Sequence, residues 1–476
     1  MSSWNDARMR LVLALLAGLL DGCVAGPNFS PPAPDAPEHF TATTLPHLAQ
    51  TQSQDGAAAG SAWWLSLSSA RLDATIRAAL AHNRDLAAAR ATLAQMQALS
   101  AASEGAEYPR LDLDATAGRQ KYGAAFLGPE NLPAFTFYSV GFGVSYLFDF
   151  AGGVKRTVEQ QRALAEAQRH EVEAAALAVS GNVARQALAA ASARAQIESV
   201  DALLADDERN LKLVQDAFEA GSANRVDVLN AQSQRANDQT LLPGLRRELT
   251  TAEHALALLV GETPASWNAP GFRLDEFSLS PAVPQTLPAE LAHQRPDIQA
   301  AEAQLHAATA AVGVASANLY PQINLTATAS LQSTVLHTLF DSGSGAGGLT
   351  GSLTQPLFDH GALKARERAA RQALQASWAH YQQVLLHSFG EVADALEALD
   401  QDQALIDSEQ SAVATSGENL SLTRESYTAG NTGVLQVLEA QRQSQQARLG
   451  FVRAQAQRLE DGVELQLALG GRVPEG

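Results

Sequence analysis

One cysteine, Cys23, stands in 476 residues, so an internal disulfide framework is excluded. Basic residues are also scarce. The 33 Lys and Arg face 51 Asp and Glu, giving a formal net charge of −18, which argues against a nucleic-acid partner. No stretch is long and apolar enough to cross a bilayer as a helix. The run Leu11 to Leu20 falls well short of the roughly 20 residues required. Catalytic signatures are missing too. The 11 histidines are scattered, and His170-Glu171 is not followed by a second histidine four residues on, so there is no zinc-helix motif. Neither a phosphate loop nor a dinucleotide glycine fingerprint occurs. No enzymatic activity, metal or cofactor is expected. The lack of a spanning helix leaves a membrane β-barrel open, because barrel strands carry a much weaker apolar signal.

What is present begins with an N-terminal address. Arg8 and Arg10 precede the apolar run, and Leu20-Asp21-Gly22-Cys23 closes it. This reads as a signal peptide over residues 1–22. A cysteine after a small residue at the end of such a core resembles a bacterial lipobox, which makes Cys23 the expected site of lipid attachment. Asp21 departs from the usual small residue there, and a signal cleaved elsewhere is the alternative. Residues 23–61 are rich in Pro, Ala, Ser and Gln and read as an N-terminal arm or linker.

Helical spacing starts at Arg71, with Leu72, Ile76, Leu80, Leu86, Leu93 and Met96 predicting one helix to about Gly105. At Tyr108-Pro109 the period changes to 2. Leu111, Leu113, Ala115 and Ala117 alternate with Asp112, Asp114 and Thr116. A second alternating run follows a Gly- and Pro-containing loop, with Tyr138, Val140, Phe142, Val144, Tyr146 and Phe148 on one face. From Val154 to Ala217 there is no proline and the pattern is helical, a span of roughly 95 Å. A tip motif and a further helix to Val260 come next, with a kink expected at Pro243-Gly244.

The tip motif organises the chain because it occurs twice. Tyr427 to Gln441, YTAGNTGVLQVLEAQ, repeats Phe218 to Gln232, FEAGSANRVDVLNAQ, at an offset of 209 residues. Each copy has an aromatic, then Ala-Gly, a polar turn and an apolar run ending in Ala-Gln. Gly221 and Gly430 stand where a helix should stop. Earlier in the chain the offset is 212. It relates Asn83-Arg84-Asp85-Leu86 to Arg295-Pro296-Asp297-Ile298, and Tyr108-Pro109 to Tyr320-Pro321. The difference falls in the loop between strands, where a deletion is tolerated. The expected organisation is a first repeat over 62–266, a connecting segment over 267–294, a second repeat over 295–469 and a tail over 470–476.

The four strands sort into two faces. Leu111, Leu113, Ile323, Leu325 and Ala327 lie on one, and Asp112, Asp114, Asn324, Thr326, Thr328 and Ser330 on the other. A soluble sandwich produces the same alternation. Strand lengths of about 9–11 residues and aromatics near the strand ends, such as Tyr108, Tyr320, Phe148 and Phe358, favour a membrane barrel. Four strands cannot close a barrel, since about eight are needed, and an open edge in lipid would leave backbone groups unpaired. Several chains must then share one barrel, continued by a wall of long helices.

These residues resemble the TolC-type outer membrane factors, in particular the NodT-like lipoprotein subgroup. The resemblance rests on Arg295-Pro296-Asp297-Ile298 with Ala301-Glu302, Tyr320-Pro321 before a strand, Phe358-Asp359-His360-Gly361, and the two tip motifs. It covers nearly the whole chain after residue 22. It implies a mixed α/β membrane protein. Four β-strands per chain would contribute to a trimeric 12-stranded transmembrane β-barrel, above long helices forming a periplasmic α-barrel. It further implies an outer-membrane exit duct for drugs or other small molecules, working with a periplasmic adaptor protein and an inner-membrane pump. A type I secretion duct, or a lipid-anchored scaffold without a pore, are the alternatives. By the same resemblance Leu435 and Glu439 line the periplasmic aperture. Asp227 and Tyr427 form a latch between the tips, and Gly221 and Gly430 contact the adaptor. Without the resemblance, Glu439 reads as an ordinary exposed helix residue and the two glycines as helix stops.

Overall fold

The structure is a computed structural model that describes residues 24–33, 39–41, 45–46, 62–122, 133–279 and 294–474. The 1–22 signal segment, Cys23, most of the arm, 123–132 of the first strand-to-strand loop and 280–293 of the connecting segment lie outside the described residues. The chain divides into two compact units. One comprises Met1–Pro32, Thr92–Arg169 and Ala300–Gln382. The other comprises Ala33–Ala91, His170–Gln299 and Gln383–Gly476.

The elements are α1 Ala70–His82, α2 Arg84–Glu104, β1 Arg110–Gln120, β2 Phe135–Phe148, α3 Gly153–Glu219, α4 Arg225–Gln239, α5 Leu241–Val260, α6 Pro296–Ala317, β3 Gln322–Ser333, β4 Gly345–Thr354, α7 Ala362–Thr428 and α8 Val434–Ala468. The repeat is visible in their bounds. The two long helices α3 and α7 each have 67 residues and start and end at the offset of 209 seen in the sequence. Left-handed glycines recur in the same register, Gly152 with Gly361, Gly221 with Gly430 and Gly261 with Gly470.

The structure differs from expectation at three places. The single helix expected over Arg71 to Gly105 is two, because Asn83 leaves the helical conformation. Its Oδ1 accepts from Leu86 N at 3.0 Å and its Nδ2 donates to Leu259 O, so the residue caps a new helix. The break expected at Pro243-Gly244 falls at Thr240 instead. Pro243 then stands in the first turn of α5, where its missing N–H would have no helical partner in any case. Finally, β2 and β3 run to 14 and 12 residues, beyond the expected length of about 9–11, whereas β4 stops at Thr354 after 10. Pro356 stands where the first repeat has Leu147, and a proline cannot donate to the ladder.

In the first unit the strands form one antiparallel sheet in the order β1-β2-β3-β4. Its register carries Leu111 onto Val144, Ala327 and Leu349 in one row, and Asp112 onto Gly143, Thr328 and Gly348 in the next. One face is therefore apolar across all four strands, as the alternation predicted. Among the described residues nothing covers that face, and Leu349 remains 82% exposed. The arm docks on the same unit. Ala25 N donates to Ala151 O at 2.9 Å, the Arg156 guanidinium donates to Asn28 Oδ1 at 2.6 Å, and Phe29 stacks on His306. Among the described residues no helix is long and apolar enough to cross a membrane.

The core of the second unit gathers Trp63, Trp64, Leu67, Leu72 and Ile76 against Val183, Leu188, Leu256 and Val463. Phe272 and Phe277 of the connecting segment are buried in it as well. That segment is thus anchored by its aromatics over its first third. Trp63 Nε1 donates to Ser180 Oγ at 3.0 Å and Trp64 Nε1 to Asp73 Oδ1 at 2.9 Å, so burial leaves neither indole unpaired.

Candidate functional site

Both tips are built by the same backbone device. At the end of α3, Ser222 N donates to Ala217 O at 2.8 Å and Gly221 N to Phe218 O at 3.0 Å. At the end of α7, Asn431 N donates to Ser426 O and Gly430 N to Tyr427 O, both at 2.9 Å. This pair of bonds needs a left-handed residue, and Gly221 and Gly430 supply it with φ of +77° and +78°. A Cβ at either position would meet nothing within 4 Å. Both glycines are consequently backed by open space rather than by packed neighbours.

The restarts differ. Asn224 caps α4 in a reciprocal box: its Oδ1 accepts from Asp227 N and its N donates to Asp227 Oδ2, both at 3.0 Å. Gly433 caps α8 with no side-chain hydrogen bond. The expected bond between Asp227 and Tyr427 is not formed among the described residues. The Asp227 carboxylate is held on its own helix by the Asn224 amide, a satisfied N-terminal position for a negative charge.

Leu435 stands on the first turn of α8 with 52% of its surface exposed. Glu439 follows one turn later on the same face. It is paired rather than free: Arg442 Nε donates to its Oε2 at 3.0 Å and Gln443 Nε2 to its Oε1 at 2.9 Å. Those two donors, Arg442 foremost, hold its carboxyl below the usual carboxylate range. Arg442 was not singled out from sequence, although its spacing of three from Glu439 is a readable signal.

Behind this surface the two hairpins meet. Val434 and Leu438 of α8 pack on Leu211 and Val214 of α3 and Val228 and Ala231 of α4. Deeper lies a polar contact that sequence reasoning also missed, centred on Gln441, the last residue of the duplicated motif. Its Nε2 donates to Asp207 Oδ1 at 3.1 Å, and its Oε1 accepts from Asn210 Nδ2. No local pattern marks it, because the partners lie 234 and 231 residues away.

Each unit therefore has its own distinctive feature: the first an antiparallel sheet whose apolar face and two edges are uncovered among the described residues, the second two hairpin tips in contact. Comparison with known proteins gives these features a family. The profile of the family described as outer membrane efflux protein matches residues 75–262 and again 287–471, and the chain belongs to that family. Outer membrane protein OprJ of Pseudomonas aeruginosa is 30% identical over 98% of this chain and 96% of its own length. Nodulation protein T of Rhizobium leguminosarum bv. viciae is 28% identical over 97% and 93%. Among solved structures, the outer-membrane channel OprN superposes with a TM-score of 0.88 at 25% identity, covering 94% of this chain and 99% of that one. The fold is that of the TolC-like channels, and the protein is an outer membrane efflux component.

Proposed function

We propose that three copies of this chain close one 12-stranded barrel in the outer membrane and form the exit duct of a tripartite efflux system. The observation that carries this reading is the state of the sheet. Among the described residues β1 and β4 each present an unpaired edge, and the apolar row Leu111, Val144, Ala327 and Leu349 is uncovered. Lipid satisfies the face, and only further strands satisfy the edges, at several kcal/mol for each backbone group otherwise left unpaired. Gly221 and Gly430 offer the backbone surface on which a periplasmic adaptor of an inner-membrane pump docks. Leu435 and Glu439 line the periplasmic aperture; the Asp227–Tyr427 bond, which is not formed in this structure, would latch the tips in a further closed state. Cys23 is the lipid attachment site.

Protein extracted from outer-membrane fractions is expected to run at roughly three times the chain mass of 50.1 kDa, collapse to one chain on heating, and conduct in planar bilayers. A monomer that passes no current would overturn the reading. The aperture assignment is tested separately. Arg442→Ala frees the Glu439 carboxylate, so the cation-over-anion permeability ratio is expected to rise roughly twofold, and Glu439→Gln is expected to lower it. Selectivity unmoved by both substitutions would remove Glu439 from the pore.

A further inference from the structure

The joint behind the tips is written twice in the sequence and made once among the described residues. Gln441 of α8 joins the second hairpin to the first. Its Nε2 donates to Asp207 Oδ1 at 3.1 Å, and its Oε1 accepts from Asn210 Nδ2. Both ends of the amide-to-amide bond are buried, Gln441 at 2% exposure and Asn210 at 7%. The offset of 209 carries both onto like residues, Gln441 onto Gln232 of α4 and Asn210 onto Asn419 of α7. It also carries Leu211 onto Leu420, and Leu438, which packs on the first hairpin, onto Leu229. The surroundings of the copies are different. Gln232 and Asn419 are both exposed, and no hydrogen bond joins them among the described residues. Leu229 is 49% exposed. A complete set of joint-forming side chains therefore faces outward, half of it on α4 and half on α7.

We propose that this second joint forms between copies of the chain. Helix α4 of one copy packs on α7 of the next, and Gln232 bonds to Asn419 and Ser416 of the partner subunit. The occupant is a second copy because this chain itself carries the matching groups at the matching spacing. Asn419 Oδ1 accepts from Thr423 Oγ1 at 3.5 Å, which leaves its amide nitrogen to donate to Gln232 Oε1. Ser416 stands at the place of Asp207 and is half-buried. Its hydroxyl donates to Ala412 O at 2.6 Å and keeps lone pairs to accept from Gln232 Nε2. Both halves of the Gln232 amide are thus provided for, as both halves of Gln441 are within the chain. The contact joins unlike surfaces, and a head-to-tail contact closes into a ring when its rotation permits. Three copies then set six hairpins around one axis, internal joints alternating with joints between copies. The two kinds are unequal. Arg225 stands where the internal joint has Val434, so Leu229 carries the apolar part. Ser416 also replaces a carboxylate, and hydrogen bonds to charged acceptors are roughly twice as strong as neutral ones. The joint between copies is the weaker.

The joint rests on the three-copy reading, and its test separates the two. Gln232→Cys and Asn419→Cys are combined in the full-length protein and treated, in outer-membrane fractions, with a short bifunctional thiol reagent. The reagent is needed because residues bridged by two side-chain amides stand too far apart for a direct disulfide. Both positions are exposed in the chain, so the substitutions leave its own packing intact. Covalent species at roughly two and three times the chain mass of 50.1 kDa are expected. Each single substitution is expected to give neither. A heat-modifiable trimer whose chains stay unlinked would overturn the joint and leave the duct standing. Linkage within one chain, or to a different protein, would overturn it as well. Protein that neither assembles nor links would overturn both, and linked chains that pass no current would refute the duct alone.

Discussion

Replacing Gly141 with valine is expected to reduce the proposed trimer in the outer membrane at least tenfold, scored as the heat-modifiable band in membrane fractions. Gly141 lies in the middle of β2 opposite Ser330 of β3. A Cβ there would sit 2.3 Å from the Ser330 Cβ and 2.5 Å from the Ala329 carbonyl oxygen. The obstacle is largely backbone, so no rotamer relieves it and the ladder between β2 and β3 must open. That junction joins the two repeats. In hydrocarbon each freed backbone group costs several kcal/mol, more than the margin by which most proteins are folded. Two residues on, a Cβ at Gly143 would meet only Asp114 Oδ2, at 3.5 Å, so Gly143→Ala is expected to assemble normally. Equal yields from the two variants would show that close strand approach does not limit assembly.

The second large effect is on stability. Trp64→Ala is expected to lower the unfolding free energy of the second unit by about 3–5 kcal/mol, the usual range for truncating a buried tryptophan. Trp64 is 1% exposed, stands edge-on to Trp63 at 6.0 Å between ring centroids, and donates to Asp73. Trp64→Phe retains much of the packing and removes only that hydrogen bond. Asp73 keeps its partner Arg77 at 2.9 Å, so the loss should be about 1–2 kcal/mol. Denaturant midpoints of the two variants, compared with the unaltered protein, check the ordering.

Much of this architecture is legible in the sequence because it is periodic and written twice. The proline-free run from Val154 and its copy after Gly361 announce two long helices, and their observed ends coincide under one offset. The strands are legible from alternation, and the register confirms the assignment of Leu111 and Ala327 to the same face. The breaks were harder to place. Asn83 ends a helix through a bond to Leu259, which the local pattern does not contain. Pro243 attracts a kink in any reading, yet it sits where a proline costs a helix little. The site divides in the same way. Gly221 and Gly430 follow from local backbone chemistry. The capping box between Asn224 and Asp227 is local as well, because the two residues stand three apart at the start of a helix. The meeting of Asp207, Asn210 and Gln441 depends on tertiary packing and has no signature along the chain.

The unequal restarts of the two tips give the hairpins unequal compliance. The first tip is tied on both sides of its turn: a left-handed stop before it and two reciprocal side-chain bonds after it. The second has the same stop, but α8 begins at Gly433 with no side-chain bond. A force applied equally to both should therefore fray the start of α8 first, carrying Leu435 with it, while α4 behaves as a fixed strut. The duplication supplied two similar levers, and a single cap at Asn224 makes one of them the stiffer.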